Sequence, residues 1–255
     1  MPARGMARNQ FVASLVGILG PITAGAFAEG DPRRAAWIVL CLGLTGGIGA
    51  ALLTGLPVFD PPEKPEEGRV WRRPGVALSS IGSLASGAWY VATNTFVPVV
   101  LGNANWSNSA MGTVMGATNA AMLIGVLAAG QAKPARFGNI IVLGTVVSAL
   151  GVGLLSVAGS IPGLTVVAFI TSGVGTGALM TLCPTLAAQS VQPEERSQAV
   201  VTTGVYRSGA LLGTPILVSV ATLFMPVGAV MIVVAGLTGL PGVGAAIARA
   251  ARPGT

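Results

Sequence analysis

Between its charged residues this chain carries apolar runs too long for a water-soluble core. Residues 9–28 hold no charge, and comparable runs follow at 35–59, 75–101, 109–132, 140–159, 164–190, 199–224 and 227–248; the seventh contains one Arg. Each has about 20 residues or more, enough for a helix to cross about 30 Å of hydrocarbon. The links are short and polar or turn-forming: "EGDPRR", "DPPEKPEEGRVWRRP", "GNANWSN", "KPARFGN", "SIPG", "VQPEERSQ" and "MP". A chain in lipid must satisfy its backbone internally, so these runs predict an all-α membrane protein with eight transmembrane helices. Only 9% of the residues are charged, where a soluble domain needs about a quarter to cover its surface. The lipid bilayer is the expected partner of the remaining surface.

The charges also give a direction. Counting Lys and Arg on alternate sides puts eleven at the N-terminus, the 60–74, 133–139 and 191–198 links and the tail, against Arg33 and Arg34 opposite. By the positive-inside bias both termini are expected in the cytoplasm of a multi-pass protein. The net charge of +6 is scattered over these short links rather than drawn into a stripe, so nucleic acid is not an expected partner. Arginine outnumbers lysine twelve to two, and Ala and Gly abound, which suits a GC-rich bacterial genome and hence a bacterial inner (cell) membrane. Cys41 and Cys183 lie inside apolar runs and there is no His, so no disulfide framework, metal site or cofactor is indicated. The first run is too long, and too soon followed by another, for a cleaved signal peptide.

The first and seventh runs echo one another. At a fixed offset Arg4 matches Arg196, Ala7 matches Ala199, Gly17 matches Gly209 and Leu19 matches Leu211. The Gly20-Pro21 pair then meets Gly213-Thr214-Pro215 with small slips. The two runs are six helices apart and share an orientation, as in a parallel six-helix repeat.

At this point the chain resembles a major facilitator superfamily transporter that begins just before its fifth helix. "GILGPITAG" resembles the antiporter motif of that family's fifth helix, G-x-x-x-G-P-x-x-G-G. Gly20, Pro21 and Gly25 match, Ala24 replaces a Gly, and Val16 stands where the first Gly belongs. "GQAKPARFGN" resembles the loop after the eighth helix, G-x-L-a-D-R-x-G-R-R. Arg136, Phe137 and Gly138 fit, the Asp is missing and Gly130 is one residue out of register. "GVGTGALMTLCPTLAAQSVQPEERSQA" is similar to the tenth helix and the loop after it. The resemblance covers essentially the whole chain. It implies that residues 1–59 are two helices of an N-terminal bundle, 60–74 a cytoplasmic linker, and 75–255 the six-helix C-terminal bundle. Another chain supplying the four absent helices is then a candidate partner. Gly20, Pro21, Gly25, Arg136 and Gly138 become the residues expected to serve conformational change.

The third run is unusually polar for a span. Ser79, Ser83, Ser86, Tyr90 and Asn94 recur at helical spacing and fall on one face. A polar stripe in lipid would leave its groups unpaired, so it must face protein or a watery cavity. Ser79 and Ser83 read as helix–helix glue; Tyr90 and Asn94, larger and near mid-membrane, read as cavity residues. The resemblance agrees, since the family's seventh helix lines its substrate pathway, and Ser86 of the same face is a further candidate. In the fourth run Met115, Asn119 and Met122 share a face, and Asn119 is the candidate there.

The seventh run holds the one ionisable residue inside a span, Arg207, with Thr203 and Thr214 on its face. It lies about 12 Å beyond Ala199 at 1.5 Å per residue. A charge at such depth costs at least about 2.5 kcal/mol unless paired or hydrated. Either it binds an anion or gates, or its side chain snorkels to the cytoplasmic edge or bonds exposed carbonyls. No span contains Asp or Glu. The glycine pairs 43/47, 112/116 and 173/177 read as close packing surfaces, and Pro98, Pro184, Pro215 and Pro241 as kinks.

Two functions follow. One is a secondary transporter, an efflux permease moving small, partly apolar molecules by alternating access, with Ser86, Tyr90, Asn94, Asn119, Thr203 and Arg207 contacting substrate. The other is a truncated or remnant membrane protein without transport of its own. An enzyme is not expected, for no His, embedded carboxylate or Ser/Lys pair supplies a base.

Overall fold

The computed structural model describes residues Ile18–Phe27, the helical residues Arg33, Trp37, Leu40, Cys41 and Leu44, and residues 70–157 and 161–250. Among them there is no strand. The helices are α1 (Ile18–Phe27), α2 (Pro74–Asn103), α3 (Asn108–Gly130), α4 (Phe137–Gly153), α5 (Pro162–Gln189), α6 (Arg196–Ala221) and α7 (Val227–Ala250).

Their boundaries follow local chemistry. α2 opens on Pro74, whose fixed φ and missing N–H suit the first helical position. In the turn before α3 Asn105 takes a left-handed φ of 60°, and the Ser107 hydroxyl then accepts from the Ala110 amide at 3.2 Å to cap the helix. A Gln192–Glu195 capping box precedes α6. Both α5 and α6 continue through an internal proline, at 184 and 215.

Five segments are long and apolar enough to cross a membrane: Pro74–Asn103, Asn108–Gly130, Pro134–Val157, Gly163–Gln189 and Val227–Gly244. Five is fewer than the eight expected, for two reasons. α6 has the length, at 26 residues, but its Arg, Thr, Ser and Gly content makes it less apolar than the others. The first two expected spans fall largely outside the described residues, as do Gly43 and Gly47.

α5 is the hub. It packs most extensively on α3, then on α4 and α2, while α6 leans on α2 and α7 on α4. Lipid chains are as apolar as leucine, so helices in a membrane associate by close packing rather than by escape from water. Accordingly, Gly173 and Gly177 of α5 lie directly on the backbone of Thr118 and Met122 in α3. Hydroxyls add to this, as in the 2.7 Å Ser148–Thr176 bond between α4 and α5. The apolar packing divides between one end of the bundle, around Trp89, Leu101, Leu155 and Phe169, and the other, around Ile141, Leu179 and Leu182.

α1 meets α3 through its own small residues. A Cβ on Gly25 would stand 2.6 Å from the Asn108 carbonyl oxygen and 3.1 Å from the Gly112 Cα, and the Pro21 carbonyl faces Gly112. Gly20 meets nothing within 4 Å among the described residues. At the bundle end where α2 starts, Arg73 Nη2 donates to Glu195 Oε1 at 2.7 Å. That pair brings the links before α2 and before α6 to the same end.

Candidate functional site

The serines of α2 turn inward. Ser79, Ser80, Ser83 and Ser86 are all buried, and Ser86 donates to the Ser83 carbonyl at 2.8 Å. One turn on, Trp89 is buried and its indole N–H donates to Ser172 of α5 at 2.9 Å, tying the two helices together. The helix then widens into a π-helical turn over Ala92–Phe96. Pro98 explains the place: it has no amide to offer the Asn94 carbonyl and its ring crowds the preceding turn. Within this stretch the Asn94 side-chain amide donates to the Tyr90 carbonyl at 2.8 Å. Asn94 therefore supports the widened turn, with its Oδ1 left as acceptor. Tyr90 itself is 40% exposed.

α6 faces this line. Gly87 of α2 is what lets the two helices close: a Cβ there would sit 2.7 Å from the Arg207 carbonyl oxygen and 3.0 Å from the Ala210 Cβ. The Arg207 stem passes over Gly87, and its Nε is buried with no hydrogen-bond partner among the described residues. Thr203, one turn before, is buried and donates to the Val200 carbonyl at 2.8 Å. Tyr90 and Cys183 are the groups within electrostatic reach of Arg207. A cavity of about 140 Å³ opens here between α2, α5 and α6, with Ser83, Ser86, Thr203 and Arg207 as its polar lining and Met180 and Pro184 on the apolar side.

Of the six residues expected at a substrate site, Ser86, Thr203 and Arg207 line this cavity, and Tyr90 stands beside it. Asn94 is a turn further along α2. Asn119 is elsewhere: it is buried in α3 and its side-chain amide donates to the Met115 carbonyl at 3.0 Å. Ser83, read from sequence as glue, lines the cavity as well. Met180 and Pro184 were not legible as site residues, because only the crossing of α5 with α2 and α6 brings them there; Pro184 had signalled a kink. Arg136 is exposed in the turn before α4, and Gly138 follows in that helix's first turn.

Three larger cavities, of about 240 Å³ beside α6 and α7, about 470 Å³ between α4 and α7 and about 310 Å³ beside Asn103 and Ser156, have no charged side chain in their linings. No cluster of three or more His, Cys, Asp or Glu that could hold a metal ion occurs among the described residues.

Compared with known proteins, residues 2–208 match the family model of the Major Facilitator Superfamily. Comparison with curated proteins and with solved structures gives no match.

Proposed function

The chain belongs to the Major Facilitator Superfamily, a family of membrane transporters, and from this premise we propose that it is an efflux permease for small, partly apolar molecules. Its mechanism in this reading is alternating access, with the end bearing Arg73 and Glu195 toward the cytoplasm of a bacterial cell. Residues 1–59 belong to one rocking bundle and 75–255 to the other, joined by the 60–74 linker. The observation that carries the reading is the polar cavity of Ser86, Thr203 and Arg207 between α2, α5 and α6, with Tyr90 at its side. Polar groups at such depth mark transport pathways. Asn94 extends the proposed pathway along α2, and Asn119 of α3 remains a proposed contact apart from this cavity. The Gly25–Gly112 contact supplies a thin seam along which α1 and α3 slide, with Gly20 and Pro21 shaping α1, and Arg136 and Gly138 form the turn that follows α3.

The test is accumulation of a panel of neutral, cationic and anionic dyes in cells producing the chain. Reduced accumulation of at least one dye is expected, and Tyr90→Ala should restore it. If every dye accumulates as in control cells, efflux is wrong; if Tyr90→Ala and Asn94→Ala leave export untouched, the site is misplaced. The exposure of Tyr90 among the described residues favours a second reading, in which this chain by itself transports nothing until further helices cover that face. Co-production with a chain supplying such helices would then be needed before any dye responds.

A further inference from the structure

We infer that the cavity between α2, α5 and α6 recognises a compact oxyanion, a carboxylate or phosphate group carried on the substrate's apolar body. The inference rests on the transport reading above and narrows it to a substrate class. Arginine is charged at every physiological pH, so the site holds a permanent cation. Its Nε is enclosed by protein and lacks a hydrogen-bond partner among the described residues, and the side chain lines the cavity. No Asp or Glu occurs in any apolar run of the sequence, and Glu195 is bound to Arg73 at the bundle end. The described helices therefore offer this cation no carboxylate, and its anionic partner has to arrive from outside them.

The rest of the lining suits an oxyanion. Ser86 and Thr203 give their protons to backbone carbonyls of their own helices at 2.8 Å, and a hydroxyl can rotate to donate to an arriving oxygen instead. A guanidinium flanked by two such donors matches a planar carboxylate or a phosphate by charge-assisted bonds. The volume of about 140 Å³ admits such a group but falls below the roughly 300 Å³ that encloses a drug-sized molecule. The substrate's apolar part must then extend past Met180 and Pro184 or beyond Tyr90.

The same chemistry is found in an anionic lipid headgroup, and the experiment separates the two sources. The full chain is placed in nanodiscs of neutral phosphatidylcholine, and benzoate and its neutral isostere benzamide are titrated while thermal unfolding and tryptophan fluorescence are followed. Benzoate should shift both and benzamide neither. Arg207→Gln should weaken the benzoate response by about tenfold or more, Arg207→Lys less, and Ser86→Ala a few-fold. Ser86→Ala and Arg207→Lys keep the test alive should Arg207→Gln fail to fold. Equal responses to benzoate and benzamide, a benzoate response indifferent to Arg207→Gln, or no response to benzoate, octanoate or phenyl phosphate would overturn the inference. Should phosphatidylglycerol abolish the benzoate response through Arg207, oxyanion recognition stands and the headgroup replaces the substrate as its source. Benzamide binding that depends on Tyr90 but shows no benzoate preference sinks the oxyanion and spares the transport reading. Benzoate binding without export of any dye does the reverse.

Discussion

α5 and α6 are both rich in glycine and hydroxyls, yet they use them in opposite ways. In α5, Gly173, Gly175 and Gly177 press against the backbones of α3 and α4. Its buried Ser172, Thr176, Thr181 and Thr185 are all bonded, to a side chain of another helix or to a carbonyl of its own. In α6, Gly204, Gly209 and Gly213 have nothing among the described residues within 4 Å of where a Cβ would stand, and the buried Arg207 Nε has no hydrogen-bond partner among them. The first helix has closed its surface onto neighbours. The second leaves its glycine face uncovered among the described residues. Identical residue types therefore report either tight packing or an open face, and only the number of surrounding helices distinguishes them.

The largest way to break this contrast is a bulky residue in the hub. Gly177→Leu would drive its side chain into the Met122 carbonyl, and a loss of about 3 kcal/mol or more is expected, seen as a lower Tm in detergent and poor folded yield. A variant as stable as the parent would show that α3 and α5 are not in backbone contact. Next in size is Trp89→Phe, which keeps the ring but leaves Ser172 without the indole donor. A cost of about 1–2 kcal/mol is expected, and Ser172→Ala on top of it should cost little more. Strictly additive losses in that double variant would mean the two side chains do not meet. The smallest effect belongs to the open face: Gly209→Ala should move stability by no more than about 0.5 kcal/mol in either direction. A drop comparable to that of Gly177→Leu would place a neighbour on α6 and erase the difference between the helices.

The contrast also marks how far the sequence could be read. Length and charge located the long helices of residues 70–250, because a hydrocarbon core tolerates few alternatives. Arg207 stood out for its depth, and the stripe of α2 pointed inward as an unpaired polar row must. The small-residue pairs 112/116 and 173/177 do carry close contacts, but Gly209 and Gly213 have the same spacing and carry none. Asn119 shared a face with Met115 and Met122 in sequence; in the fold its amide serves its own helix. Tertiary crossings decide such cases, and one helix's periodicity holds no record of them. α6 fell short of the apolar spans for the same reason that made it interesting, its polar content.

The widened turn in α2 has a consequence for anyone drawing that helix as a wheel. Five residues are wound there at more than 3.6 per turn, so the angular phase of everything after Phe96 is offset from everything before Ala92. The two halves are keyed separately: one indexes its serines toward α5 and α6, while the other indexes Val97 and Leu101, both wholly buried, into the opposite end of the bundle. A single projection through residues 75–101 is sound for Ser79 to Tyr90 and drifts thereafter. Asn94, which such a projection aligns with Tyr90, sits within the slippage itself.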